Sequence, residues 1–241
     1  MRETPFLSVI IPVYNYAEKI KRTISDIDKK LNYRNFSYEI IVVNDGSTDN
    51  TAEIVHSLTG VIRNIRFIDN KKNEGKGKVV RQGILEAKGS IRLFTDVDNS
   101  TPIDQLDKFF PFFKEGCDIV FGSRAVKDAR VLVRQPFYRI LLGKMGNLII
   151  QLMVLPGIKD TQCGFKAFTQ EAVQEIFPKL TINGWGFDIE ILALAKLFGL
   201  RIKEVGIDWI NNPVSKFKAF DYFKIFLETL RIRWNIWIKN Y

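Results

Sequence analysis

Asp96 and Asp98 stand one residue apart, at the end of a strand candidate that closes on Leu93-Phe94-Thr95. Two carboxylates at a strand end converge on one hard divalent ion if the backbone turns there. Mg²⁺ and Mn²⁺ suit such a pair, because each takes one or two carboxylates and completes its shell with oxygens from a diphosphate. Bound there, the ion would neutralise charge on a departing diphosphate group. An Asp-x-Asp alone also occurs in solvated turns, so its neighbours decide the reading. His56 is the only histidine, and it falls in an amphipathic stretch, Thr51 to Leu58, as a surface residue. A mechanism built on a histidine base is therefore disfavoured. Cys117 and Cys163 share no CxxC or Cys/His cluster, which speaks against a zinc site or a disulfide framework and for a reducing compartment.

The elements that must position the acidic pair follow from hydrophobic patterning. Leu7–Val13, Tyr38–Asn44, Ile65–Asp69, Ile91–Asp96 and Asp118–Ser123 read as strands. Between them, Ala17–Leu31, Thr51–Leu58, Lys78–Ala87 and Pro102–Lys114 read as helices, with Thr48 or Asp49 as a cap for the second. Near-continuous apolar strands alternating with helices predict an α/β fold, a mostly parallel sheet covered on both faces. Ligands then bind beyond the carboxyl ends of the strands. Those ends carry Pro12-Val13-Tyr14-Asn15, Asn44-Asp45-Gly46-Ser47, Asp69-Asn70, Asp96-Val97-Asp98 and Ser123-Arg124.

The second half has a different texture. Arg130–Arg139 is basic, and Ile140–Leu155 is apolar but holds Lys144, which predicts an interfacial or core helix in place of a membrane span. Helices are predicted near Glu171–Phe177 and Ile189–Phe198, and a last strand over Ile202–Trp209. Near the end, Phe223, Phe226, Leu227, Leu230, Trp234, Trp237, Ile238 and Tyr241 share one helical face, opposite Lys224, Glu228, Arg231, Asn235 and Lys239. That face either docks on its own domain, pairs in a homodimer, or lies in a membrane interface. The 241 residues, 46% hydrophobic and 26% charged, suit one large α/β domain, and the net charge of +9 favours anionic partners. A nucleic-acid-binding role is a rival on charge alone. It leaves the acidic pair without a task, and the basic stretch at Arg130–Arg139 is small for it.

Three further segments accompany the acidic pair: Val9-Ile10-Ile11-Pro12-Val13-Tyr14-Asn15, Ile41-Val42-Val43-Asn44-Asp45-Gly46-Ser47-Thr48-Asp49 and Asn73-Glu74-Gly75-Lys76-Gly77-Lys78. In this order and spacing the set resembles the family-two inverting glycosyltransferases of GT-A fold. Gly122-Ser123-Arg124-Ala125, Asp160 to Phe168 and Trp185-Gly186-Phe187-Asp188-Ile189-Glu190 are similar to the dolichyl-phosphate glucosyltransferase branch, with dolichyl-phosphate mannose synthases and polyprenyl-phosphate glycosyltransferases as near relatives. One departure is Tyr16, which stands where the family often has a glutamate.

The resemblance implies roles. Pro12, Tyr14 and Asn15 would line a nucleoside pocket. Asp45 would accept from a uracil N–H, unless it serves an Asx turn. Gly75, Lys76, Gly77 and Lys78 would approach the nucleotide, and Asp96 and Asp98 would bind the donor diphosphate through Mg²⁺ or Mn²⁺. Arg124, Arg134 and Arg139 are candidates for the acceptor phosphate, with plain surface charge as the alternative. Asp188 and Asp160 are candidates for a base or for orienting the sugar; Asp188 also fits a helix N-cap and Asp160 a turn. Trp185 either stacks on a sugar or belongs to the core. The implied reaction moves glucose from UDP-glucose to a polyprenyl or dolichyl phosphate, with GDP-mannose as runner-up donor and a glycan as alternative acceptor. The expected organisation is a catalytic domain over residues 1–210 (1–125 for the nucleotide sugar, 126–210 for the acceptor) and a segment over 211–241 at an anionic membrane surface. A cytoplasmic, peripheral placement follows, with a homodimer or a separate membrane partner left open.

Overall fold

The computed structural model describes residues 4–133, 136–212 and 219–241. Seven strands form one sheet in the order β3-β2-β1-β4-β7-β5-β8. They are β1 (Leu7–Val13), β2 (Tyr38–Asp45), β3 (Ile65–Asn70), β4 (Ile91–Thr95), β5 (Ile119–Ser123), β7 (Phe165–Thr169) and β8 (Ile202–Gly206). Strands β1 to β4 are parallel, and β7 runs antiparallel between β4 and β5. The fold class agrees with the expectation from patterning.

Alternation along β1 divides the core. Val9, Ile11 and Val13 pack on one side with α1 (Ala17–Asn32) and α2 (Thr51–Thr59). Ile10 packs on the other with α3 (Lys76–Glu86), α6 (Gln170–Ile176) and α7 (Phe187–Leu197). Helix α1 shows why such segments fold: Ile20, Ile24, Ile27 and Leu31 recur at helical spacing and are all buried, each worth about 1.5 to 3 kcal/mol of apolar transfer. Strand order reverses between β1 and β4, and a crevice opens beyond their carboxyl ends.

Several elements differ from the sequence reading. Pro102–Lys114 is not one helix: a 3-10 turn over Ile103–Lys108 precedes the short α4 (Phe110–Lys114), and Pro111, which has no N–H to donate, sits at its start. Ile202–Trp209 is two strands, β8 and β9 (Asp208–Ile210). β9 leaves the main sheet and pairs with β6 (Arg130–Val133), a strand the basic stretch concealed. Neither Thr48 nor Asp49 is the cap of α2. That position is Asn50, while Asp49 accepts from the Thr51 N–H.

The largest difference concerns α5 (Phe137–Met153) and α8 (Ala219–Trp237), which pack against each other. On α8 the inward residues are Asp221, Ile225, Thr229, Ile232 and Asn235. The apolar face faces outward: Phe223, Phe226, Leu227, Leu230, Trp234 and Trp237 are all exposed, Trp237 by 66%. Tyr241 alone of that set is packed inward. Helix α5 continues the surface with Phe137, Leu141, Met145, Leu148 and Leu152, and Ile150 is its one buried residue. So α5 is not a core helix, and α8 does not dock on its own domain through its aromatic face. Among the described residues, no helix is long and apolar enough to cross a membrane.

Candidate active site

Asp96 is the first residue beyond β4, and its N–H donates to the Gly164 carbonyl at 3.1 Å. Because β7 is antiparallel, its first residue Phe165 lies opposite Thr95, and the loop before β7 reaches the tip of β4. A Cβ on Gly164 would overlap the Asp96 carboxylate, so only glycine permits this approach. Asp98 accepts from the Ser100 N–H at 2.9 Å, and the Thr23 hydroxyl holds the Val97 carbonyl at 2.9 Å. Burial pushes the Asp98 carboxyl above its usual range, and the Asp96 charge adds to this. The Tyr16 hydroxyl is pushed up to about 12 by burial and by Asp98, and accepts a hydrogen bond from Asn212 at 2.9 Å.

Both carboxylates line a cleft of about 950 Å³, shared with Lys76, Arg124, Arg139, Asp160, Trp185 and Asp188. The pair fits a divalent ion: it offers hard oxygens, and the Asp96 charge makes ionisation of Asp98 costlier. Among the described residues no group of three or more His, Cys, Asp or Glu side chains converges. A Mg²⁺ or Mn²⁺ there would complete its shell from diphosphate or water.

Cations and anions alternate across the cleft. The Lys76 ammonium lies 2.6 Å from Asp96 Oδ1, over the rings of Phe94, Trp185 and Phe187 at 5.6, 5.3 and 5.8 Å. Burial opposes its charge, but Asp96 and Asp188 outweigh that and raise its pKa. Lys166, wholly buried on β7, is ion-paired with Asp188 and donates to the Cys163 carbonyl at 2.7 Å. Asp188 is therefore no N-cap. It sits inside the first turn of α7, whose cap is Gly186. Burial raises its carboxyl, and Lys166 and Lys76 partly offset this.

Asp160 and Arg124 form a fork: Nε to Oδ2 at 2.7 Å, Nη2 to Oδ1 at 2.8 Å, and the Arg124 N–H to Oδ2 at 2.9 Å. Burial would raise the Asp160 carboxyl, but Arg124 holds it below the usual range. The guanidinium also lies over Trp209 at 5.4 Å. Arg134 lies outside the described residues.

The remaining predicted residues sit at the ends of β1 and β2 or start α3, and do not line this cleft. Pro12 is buried within β1, opposite Val43, and Tyr14 is exposed. Asn15 adopts φ 49° and receives Thr48 N–H at 2.7 Å, while its own N–H donates to Ser47 at 2.9 Å. This latch joins the first two loops. Asp45 accepts from the N–H groups of Glu74 and Gly75 at 2.7 and 3.1 Å, holding the loop that leads to Lys76. Gly75 has φ 104° and packs on the Asn183 carbonyl, a place closed to any side chain. Lys78 is ion-paired with Glu74 on the surface of α3. Sequence reasoning missed Lys166; its signal was a lone lysine inside Phe165-Lys166-Ala167-Phe168.

A crevice at the strand tips of a mostly parallel sheet, holding an acidic pair with basic residues beside it, is the plan of a GT-A glycosyltransferase. The solved structures agree on that fold. A Mycobacterium tuberculosis glucosyl-3-phosphoglycerate synthase crystallised with Mn²⁺, UDP and glucosyl-3-phosphoglycerate superposes with a TM-score of 0.64 at 20% identity, over 95% of this chain and 80% of that one. A Pyrobaculum calidifontis mannosyltransferase in complex with GDP-Man and Mn²⁺ gives 0.65 at 18% identity, over 99% and 65%.

The family profile "Glycosyl transferase family 2" matches residues 8–177, and the chain belongs to that family. Among its relatives are the dolichyl-phosphate beta-glucosyltransferases of Dictyostelium discoideum, 38% identical over 89% of this chain and 69% of that protein, and of Homo sapiens, 31% identical over 90% and 71%. Trp185, Asp188 and α8 lie beyond the profile match.

Proposed function

We propose that the chain transfers glucose, with inversion, from UDP-glucose to a polyprenyl or dolichyl phosphate at the cytoplasmic face of a membrane. One observation carries this reading most: the Asp96–Asp98 pair and the cations Arg124 and Arg139 line one cleft, beside a broad exposed apolar surface on α5 and α8. The relatives' names supply the substrate class.

The donor diphosphate lies against Asp96 and Asp98, which would hold Mg²⁺ or Mn²⁺; the ion's chemistry is to neutralise charge on the leaving nucleoside diphosphate. The loop of Gly75 and Lys76, fixed by Asp45, faces the nucleotide. Tyr14 and Pro12 lie on the nucleoside side. Asp188, pinned by Lys166, accepts from a sugar hydroxyl, and Trp185 covers the ring. Arg124 presents its remaining N–H groups to the acceptor phosphate, with Arg139 lining the same cleft. Asp160 then acts by fixing the Arg124 plane; a carboxyl held below its usual range makes a weak base. None is needed, because a lipid phosphate is already ionised near neutral pH. Positioning and charge neutralisation supply the rate.

Residues 211–241 complete the reading as an interfacial segment. Its aromatic face meets the acyl boundary, and Lys224, Arg231, Arg233 and Lys239 meet anionic headgroups. The test is transfer from a panel of UDP- and GDP-sugars to a short polyprenyl phosphate with Mn²⁺ or Mg²⁺. The expected result is product from UDP-glucose that EDTA abolishes. Product from GDP-mannose alone, or none with any lipid phosphate, would overturn the assignment.

A further inference from the structure

Helix α8 touches the segment that carries Trp185 through a side chain on its inner side. Glu228 Oε2 accepts the Gly186 N–H at 2.6 Å. Gly186 is the cap residue of α7 and has no side-chain cap bond of its own. A helix start leaves N–H groups unpaired and the positive end of the dipole exposed. A carboxylate delivered from another helix answers both needs.

The seat for that carboxylate is shaped by glycine. A Cβ on Gly184 would overlap Glu228 Oε1, and one on Gly186 would come within 2.8 Å of Oε2. Neither glycine has a positive φ, so a side chain at either position would meet the Glu228 side chain, and not backbone strain, and would displace its carboxylate. Between them stands Trp185, which lines the cleft and lies over Lys76. Two residues beyond Gly186 stands Asp188. A second tether runs beside the first. The Tyr241 hydroxyl donates to Glu190 Oε1 at 2.8 Å, and Glu190 also receives the N–H groups of Thr181 and Ile182 at 3.0 and 2.9 Å. The next carbonyl, Asn183, accepts from Gly77 at 2.8 Å, at the start of the helix that carries Lys76.

We propose that Glu228 is a positioning residue for sugar transfer: seated against Gly184 and Gly186, it fixes Trp185 and Asp188 in the cleft and ties their geometry to α8, the helix with the exposed aromatic face. The transfer step rests on the function proposed above; the tie itself does not.

Steady-state transfer from UDP-glucose to a short polyprenyl phosphate is compared for wild type, Glu228→Ala, Glu228→Gln, Gly184→Ala and the double variant Glu228→Ala/Gly184→Ala. Amide hydrogen exchange over residues 184–190 is followed in parallel. Glu228→Ala should lower kcat roughly 10- to 100-fold, the scale on which a small misplacement is felt, with donor KM little changed. Glu228→Gln keeps an acceptor oxygen in place and should recover most of kcat. Gly184→Ala should reproduce the loss, the double variant should be no worse than either single one, and exchange over 184–190 should rise in each. Wild-type kcat and exchange in Glu228→Ala, or losses that multiply in the double variant, would overturn the proposal. If the wild type transfers no sugar at all, the function is wrong, and unchanged exchange in Glu228→Ala would then sink the tie as well.

Discussion

The β1–β4 half and the pair of helices α5 and α8 handle apolar surface in opposite ways. In the first, Leu7, Val9, Ile10, Ile11 and Ile40 to Val43 are fully buried, and helices close both sides of the sheet. In the second, α5 and α8 turn their largest side chains outward, with Leu152 exposed by 80% and Phe137 by 78%. Burial in the first half makes a rigid frame, and short hydrogen-bonded loops at its strand tips hold Asp45, Asp96 and Asp98 in place. The helix pair keeps its basic residues around an uncovered apolar surface, a pattern suited to a lipid boundary. Where the two meet, charged residues from both line one cleft.

The comparison breaks first at the strand tips. Asp96→Ala and Asp98→Ala should each lower kcat/KM on the order of 10³-fold while leaving the fold intact, because the lost interaction acts on charge that develops in transfer. Circular dichroism and the transfer assay check both halves of that statement; activity within a few-fold of wild type would remove the acidic pair from the reaction. Next comes the meeting point. Lys166→Met removes the ion-pair partner of the buried Asp188, leaving only the more distant charge of Lys76, and should cost roughly 3 kcal/mol in denaturant unfolding. Lys166→Met/Asp188→Leu should recover most of that stability without recovering activity.

The Arg124–Asp160 fork sharpens the comparison through pH. The folded Asp160 pKa lies below its unfolded value, so the fork's stabilisation is fully present above the ordinary carboxylate value of about 4. It is lost only as pH falls further, through the lowered folded value. The wild type should therefore exceed Asp160→Asn in stability at neutral pH, with the gap closing below about pH 4. A gap that stays constant into acid would contradict the pairing. The smallest effect on the fold belongs to the outer face of α8. Trp234→Ala/Trp237→Ala should change unfolding free energy by no more than about 0.5 kcal/mol. Binding to anionic vesicles should drop on the order of 100-fold, since each of the two lost rings removes roughly 1.5 kcal/mol of apolar burial.

Sequence made the frame legible because β1, β2, β4 and β5 are mostly apolar, each interrupted at most by a single polar residue before its tip, and alternate with helical patterns. β7 escaped because Lys166 interrupts it, and partners outside the strand, Asp188 22 positions away and the Cys163 carbonyl, make a buried lysine tolerable. β6 and the break between β8 and β9 escaped because β6 and β9 are short and lie outside the main sheet. On α8, periodicity identified which residues share a face but not which face turns inward. The inner side is held by Ile225, Ile232 and the polar Glu228 and Asn235, which composition assigns to solvent. Arg124 and Asp160 were each singled out, yet 36 positions separate them, and only the fold shows them as one unit.

The central claim is that Asp96 and Asp98 bind the donor diphosphate through a shared divalent ion. Calorimetric titration of UDP into the protein with Mn²⁺, without it, and into Asp98→Ala with Mn²⁺ tests it most directly. The account predicts binding that requires both the ion and Asp98; equal affinity in all three titrations would contradict it.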